Sequence, residues 1–410
     1  MKRLVTNSSL LVVIGEGFSS RLSFGLVSFA LPLYALHLGL SLSEIGFLIA
    51  LNAIIALIFK SFTGRVVDRF GLRRSLATAI GLRSVVALAL AFAAIPWQLF
   101  GIRALQGVSE SLRNPAVNVL LAEHGGKKAV ASAFAWYGTA KSMAGALGKA
   151  AAGILLTLTA SNFSLIFLVS FVLSALPLFV VMRYVKERRT ETTSPVATLK
   201  PEASVAERAR PVGDSPGGGP AVLPFMGLGF LISATTKMLH GLFPVLATQY
   251  AGLSAAEAGL IYLASTAVIL VSGPLFGWLS DNVSGKAVLL VRSIANIVSS
   301  VCYLVAPNLA GVATGKIVDD IGKAAFNPAW GSLMAYVASF DRKRRARTMS
   351  LMSMGDDAGE IVGPILTGLL WSTWGIVAVF GVRIGLAAIT EVYALILAMR
   401  LPSRLVPARI

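Results

Sequence analysis

The sequence predicts an all-α membrane protein with twelve transmembrane helices, built as two six-helix bundles related by a pseudo-twofold axis. Three observations predict this. Of 410 residues, 56% are apolar and 13% charged, and the mean hydropathy is +0.77, too apolar for a water-soluble domain. Each bilayer crossing takes ~20 mostly apolar residues, and polar or glycine-rich breaks divide the chain into about twelve such runs. Finally, Gly64 and Asp68 return as Gly277 and Asp281, and Asn114-Pro115-Ala116 returns as Asn327-Pro328-Ala329, both 213 residues later (277 minus 64; 327 minus 114). Two landmarks keeping one register mark a duplicated unit, with a binding site expected between the halves near the midplane.

Span 1 covers Ser8 to Leu36, with His37 at its outer end, and is long enough to tilt. No small-residue cleavage site follows it, so it reads as a retained helix. Span 2 runs from Glu44 to Phe62, span 3 from Ser75 to Ile95, and span 4 from Gln98 to Leu121. Span 5 starts after Lys127-Lys128, and span 6 ends at Met182. The first bundle is therefore 1–182. Residues 183–220 turn to Glu, Arg, Lys, Ser, Pro and a triple glycine, a composition that cannot bury enough surface to order itself and reads as a cytoplasmic linker. Spans 7 to 12 follow at 222–246, 256–278, 287–305, 310–338, 348–370 and 376–399. They make a second bundle, 221–400, with a tail at 401–410.

The net charge of +17 would suggest a nucleic-acid partner in a soluble protein, but its distribution excludes one. Apart from those inside apolar runs, the Lys and Arg residues occupy the termini and alternate links. The links around Leu40–Ser43, Pro96–Gln98, Ser161–Asn162, Gln249–Ser254, Pro307–Asn308 and Trp371–Trp374 hold none. Basic links resist translocation, which puts both termini in the cytoplasm and the chain in the cytoplasmic membrane. Trp97, Tyr250, Trp371 and Trp374 suit an interfacial aromatic belt. One cysteine, Cys302, excludes an internal disulfide and a CxxC site. Three scattered histidines and the lack of a phosphate loop, His-Glu-x-x-His or Gly-x-Ser-x-Gly argue against a metal, a cofactor or an enzyme.

Between spans 2 and 3 stands Gly64-Arg65-Val66-Val67-Asp68-Arg69-Phe70-Gly71-Leu72-Arg73-Arg74. It resembles the Gly-x-x-x-Asp-Arg-x-Gly-x-Arg-Arg loop of the major facilitator superfamily of secondary transporters. The second copy, Gly277 to Lys286, lacks most of the arginines. The resemblance implies a monomer that moves a small organic solute across the lipid bilayer, with helices 1, 4, 7 and 10 lining the cavity and 2, 5, 8 and 11 flanking it. It also implies that Gly64, Asp68, Arg69, Gly71, Arg73 and Arg74 form a conformational latch. In span 4, Arg103-x-x-Gln106-Gly107 resembles a family segment whose arginine is associated with proton coupling. The antiporter segment Gly-x-x-x-Gly-Pro is altered in span 5, where Ala144-x-x-x-Gly148-Lys149 stands, and intact in span 11 as Gly359-x-x-x-Gly363-Pro364. Glycines so spaced also pack helices closely in any bundle.

An ionisable group at mid-bilayer costs at least ~2.5 to 3.5 kcal/mol and must face a partner or water. Glu16, Arg21, Arg113, Lys141, Lys237, Asp319, Asp320 and Lys323 are the candidate cavity residues. Lys316–Asp320, Asp319–Lys323 and Glu110–Arg113 are spaced to pair along one helix. Asp356, Asp357 and Glu360 have no base on their own helix, so they are the candidate proton carriers, with Asp356 and Glu360 on one face and with Arg103 and Glu110 in support. The expected function is proton-driven transport, export preferred. The alternatives are import of an anionic solute, which the cationic lining suits, and a receptor or scaffold that keeps the fold without transport. Cysteines placed at Ser194 or Ser215 are expected to react with an impermeant thiol reagent only from the cytoplasmic side. Labelling in intact cells would reverse the orientation.

Overall fold

The computed structural model describes residues 8–184, 222–282, 285–339 and 345–400. The expected linker, apart from Arg183 and Tyr184, and the tail 401–410 lie outside the described residues. The helices are α1 Ser8–His37, α2 Leu42–Phe70, α3 Leu72–Phe92, α4 Pro96–Leu158, α5 Phe163–Tyr184, α6 Val222–Lys237, α7 Phe243–Val245 continued by a π turn Leu246–Tyr250, α8 Ala255–Asn282, α9 Gly285–Val305, α10 Leu309–Ser339 and α11 Arg345–Arg400. No strand occurs among the described residues.

Twelve spans fit these helices because α4 and α11 each hold two, while α6 and α7 share one. α4 has 63 residues, ~95 Å at 1.5 Å per residue, three times the ~30 Å bilayer core. It cannot be straight. Arg113 Nη2 donates to Tyr137 Oη at 2.9 Å, although 24 residues separate them and a straight helix would set them ~36 Å apart. The chain therefore doubles back between them. α11 is interrupted at Gly375 (φ 79, ψ 178), inside the break expected between spans 11 and 12. The positive φ that glycine adopts without strain explains that position.

Two expectations are corrected. The charged stretch from Gly64 to Arg74 is not a link as expected: α2 continues through it to Phe70, and Gly71 alone (φ 84, ψ 157) breaks the helix before α3. Only Gly71 and flanking residues make the joint, because arginines are good helix formers and no proline intervenes. Span 7, expected to be continuous over 222–246, is broken: α6 stops at Lys237. Pro244 lacks an N–H to continue a helix, and Gly241 lies so close to Ile49 that a Cβ would stand 2.6 Å from it.

Helix starts follow local chemistry. Ser41 Oγ accepts from the Glu44 N–H at 3.3 Å, and Glu44 accepts from the Ser41 N–H at 2.8 Å, a reciprocal cap. Ser254 and Glu257 repeat it 213 residues later (254 minus 41), at 3.2 and 2.8 Å. Gln98 takes the N–H groups of Ala94 and Ile95 at the start of α4.

The contacts divide the chain into two units. In the first, α1–α5 pack with residues 241–266. Its core gathers Val13, Ile80, Val117, Tyr137 and Val181 from four helices. The second holds α6, α9–α11 and the rest of α8, and its core gathers Phe225, Ile232, Trp330, Met352 and Leu397 from α6, α10 and α11. The most extensive helix pairing within each unit is glycine-mediated. A Cβ on Gly25 would stand 2.6 Å from the Gly145 carbonyl oxygen, and one on Gly148 would overlap the Leu22 carbonyl. Gly359 and Gly363 meet α6 likewise, 2.6 and 2.7 Å from Ala234 backbone atoms. Lipid is as apolar as leucine, so helices associate through such close backbone approach.

Among the described residues, five segments contain an 18-residue stretch apolar enough to cross a membrane with at most two charges: they lie in Leu42–Lys60, Arg73–Phe92, Phe163–Met182, Ala255–Leu279 and Thr348–Leu397. α1, α4 and α10 miss that measure, and these helices carry much of the interior charge. A testable consequence follows for the glycine crossing. Gly148→Ala is expected to lower the thermal midpoint of detergent-purified protein, because overpacking against backbone costs ~1–3 kcal/mol. Gly81→Ala, where nothing lies within 4 Å of the new Cβ, is expected to leave it unchanged or raise it.

Candidate functional site

In the first unit the interior charges centre on Glu16. Arg113 clasps it with Nε at 3.0 Å and Nη2 at 2.8 Å, and Ser20 Oγ donates to it at 2.8 Å. Glu16 and Arg113 are 3% and 4% exposed. The pairing of Glu110 with Arg113 expected from their spacing does not form. Arg113 can reach a carboxylate on α1 with two nitrogens, a stronger geometry than a single contact along its own helix. Glu110 instead accepts from Asn52 Nδ2 at 2.8 Å.

The Arg103-x-x-Gln106-Gly107 segment has a physical reading here. Gly107 brings α4 against α2, since a Cβ there would stand 2.7 Å from the Asn52 carbonyl oxygen, and this approach delivers Asn52 to Glu110. Arg103 donates to Gln106 Oε1 at 2.6 Å and to the carbonyl of Leu48 at 3.3 Å. Arg21 lies 4.4 Å from the Phe24 ring centroid. Lys149, in the altered glycine segment, sits 4.0 Å over the Tyr262 ring. Lys141 is half-buried on the second limb of α4.

The second unit holds two charge clusters. On α10, Lys316 pairs with Asp320, and Lys323 bridges Asp319 at 2.9 Å and Asp320 at 2.7 Å. Asp319 also binds Arg292 of α9 at 3.2 Å and Arg383 of α11 at 2.6 Å. Asn296 Oδ1 accepts from both guanidinium groups, at 2.6 and 2.9 Å. Gly322 leaves room for Arg292, whose Nη1 would lie 3.0 Å from a Cβ there. On α11, Glu360 pairs with Lys237 of α6 at 2.7 Å, a partly exposed contact. Trp330 Nε1 donates to Asp356 Oδ2 at 2.8 Å, whereas Asp356 Oδ1 is buried without a hydrogen-bond partner. Asp357 follows it on the same helix.

The latch residues are split by what the structure describes. The side chains of Arg65 and Asp68 lie outside the described residues. Arg69 and Arg74 are exposed, and Arg73 donates to the Met182 carbonyl. No group of three or more potential metal ligands occurs among the described residues.

Sequence reasoning gave no site role to Asn52, Tyr137, Arg292, Asn296, Trp330 or Arg383. One signal was present. Arg103, Gln106 and Glu110 recur as Lys316, Asp319 and Lys323 at the same offset of 213 (316 minus 103; 323 minus 110), so each unit carries its polar cluster at equivalent turns.

The family model described as Major Facilitator Superfamily matches residues 17–315 and 225–409. The chain is 23% identical over 374 residues to Multidrug resistance protein 2 of Bacillus subtilis (strain 168), covering 88% of each. It is 23% identical over 390 residues to Multidrug resistance protein MdtG of Escherichia coli, covering 92% of this chain and 91% of that one. The crystal structure of nucleoside transporter NupG superposes with a TM-score of 0.73 at 13% identity, over 96% of this chain and 100% of that one, a likeness of fold alone. Twelve spans in two repeated units, interior charge and a match over nearly the whole length lead to one conclusion: this multi-pass membrane chain belongs to the Major Facilitator Superfamily of transporters.

Proposed function

We propose that the chain is a secondary active transporter that exports a small organic solute across the cytoplasmic membrane in exchange for protons, as a monomer with both termini inside the cell. Asp356 carries the reading. A carboxylate oxygen buried without a partner is held at a cost. A proton on Oδ1 removes that cost, and access of water to the same atom allows release. Glu360 has Lys237 to balance it, so among the α11 acids Asp356 is the carrier, with Trp330, Asp357, Glu360 and Lys237 as its polar surroundings. The names of the B. subtilis and E. coli relatives support export. Arg103 and Glu110 take a supporting part through the α2–α4 contact.

In liposomes with an imposed pH gradient, wild-type protein is expected to concentrate solute from a small-molecule mixture, read by mass spectrometry. Asp356→Asn is expected to abolish that concentration while solute-for-solute exchange continues. Undiminished accumulation by Asp356→Asn would move the proton to another carboxylate, and no flux from any wild-type preparation would favour a receptor or scaffold. At the α2–α3 joint, we assign Asp68 and its arginines the latch role. Asp68→Asn is expected to leave expression intact and lower turnover by weakening one of two alternating states, and unchanged turnover would remove that role.

A further inference from the structure

We infer that Trp330 is a positioning residue for the proton site: its indole N–H holds one oxygen of Asp356, so that the proton is taken up and released at the other, Oδ1, beneath the backbone of Gly229 in α6. The inference rests on the transport reading above and names the group that directs the proton and the surface that covers it.

Each acceptor of Asp356 is treated differently. Oδ2 accepts from Trp330 Nε1 at 2.8 Å, the backbone carbonyl accepts from Ser233 Oγ at 2.8 Å, and Oδ1 is buried without a partner. An indole nitrogen can only donate. A proton on Oδ2 would set an O–H against that N–H, donor facing donor, and the indole would lose its acceptor. A proton on Oδ1 leaves Oδ2 a carbonyl that still accepts from Trp330, and it takes the charge off a buried oxygen that has no donor. Trp330 is 4% exposed and stacks on Phe326 one turn earlier, with ring centroids 5.6 Å apart. It lies in the same core cluster as Phe225, Leu228 and Met352, so its N–H is held in place.

The bare oxygen faces α6. A Cβ on Gly229 would stand 3.1 Å from Oδ1 and 2.8 Å from Trp330 Cζ2, and one on Gly355, the residue before Asp356, would overlap the Met226 carbonyl. Thus α6 meets residues 355–356 at Met226, Gly229 and Ser233, an approach that small residues allow. The charged groups acting on Asp356 are Asp357 and Glu360 of α11 and Lys237 of α6, while α10 supplies the Trp330 N–H.

The proton step is a transfer from hydronium to Oδ1: an Oδ1–H bond forms, an O–H bond of hydronium breaks and water is left, and release is the reverse. With Gly229 against Oδ1, water reaches that atom when α6 draws back from the Trp330–Asp356 pair. Uptake and release are thereby tied to movement at Gly229.

The test follows the protonated carboxyl itself. Full-length protein in liposomes is measured by difference infrared spectroscopy between acid and alkaline pH, where a C=O band missing from Asp356→Asn belongs to Asp356. Trp330→Phe keeps an aromatic ring and removes the donor. It is expected to move that band and to shift the pH at which the band is half-formed toward alkaline by about one unit or more, because a hydrogen bond from Trp330 favours the ionised form. The pH profile of solute-for-solute exchange is expected to shift with it. In heavy water the wild-type band is expected to convert to its deuterated position more slowly than the bands of surface carboxyls, and faster in Gly229→Ala. The inference falls if no band depends on Asp356, or if Trp330→Phe lowers the melting temperature while the band and its midpoint stay in place. It falls equally if the wild-type band converts as fast as those of surface carboxyls, a measurement that stands even where Gly229→Ala does not fold, or if Gly229→Ala folds without hastening conversion. Loss of pH-driven accumulation in Asp356→Asn with an unmoved band in Trp330→Phe would keep the carrier and sink Trp330. Undiminished accumulation in Asp356→Asn, with a band that answers to Trp330, would overturn the transport reading while the placement of the proton stands.

Discussion

One carboxylate, Asp319, is shared by three cations from three helices: Arg292 of α9, Lys323 of α10 and Arg383 of α11. Arg292 and Arg383 are 1% and 0% exposed, and neither could remain in an apolar interior without an acid. Buried ion pairs add little net stability over apolar packing, but losing one partner costs ~3–5 kcal/mol because a bare charge is left behind. Asp319 therefore fixes which helices adjoin more than how tightly they adhere. Asn296 extends the constraint by accepting from both guanidinium groups.

The first unit meets the same constraint with different chemistry. At the repeat offset, Gln106 stands where Asp319 does and Glu110 where Lys323 does. Gln106 carries no charge to balance an arginine, and Arg103 donates to its amide oxygen and to α2 carbonyls. The task of tying helices by charge passes to Glu16 on α1. Duplication has kept the turn on which polar groups stand, with a cation at Arg103 and Lys316, but a neutral amide has become an acid at Asp319 and an acid has become a base at Lys323, while the capping boxes at Ser41 and Ser254 were kept whole.

The fold was legible because each span needs ~20 apolar residues and basic residues punctuate alternate links. The site was legible only at short range. Lys316–Asp320 and Asp319–Lys323 lie four apart and pair as expected, whereas Glu16–Arg113 and Lys237–Glu360 are separated by 97 and 123 residues. No spacing rule reaches that far. Glu110 shows how a local rule fails: its neighbour Arg113 found a better acceptor across the bundle. Trp330, whose ring also packs in the apolar core, gave no sign that its N–H would meet Asp356. The α2 extension to Phe70 was hidden because charge marks a membrane surface without saying whether the backbone there is helical.

The Asp319 cluster also bears on how the chain enters the membrane. Arg292 emerges from the ribosome before the acid that balances it, and Arg383 follows 91 residues after Arg292 (383 minus 292). At ~5–20 residues per second, synthesis takes roughly 5–20 s to cover that distance. During this interval α9 must be held where its guanidinium stays hydrated, in the insertion machinery or at the interface. Once α10 delivers Asp319, the site still has an arginine to gain. The second unit can complete its polar centre only when the final span is made, so truncated chains would present an unfinished charged surface to the membrane's quality control.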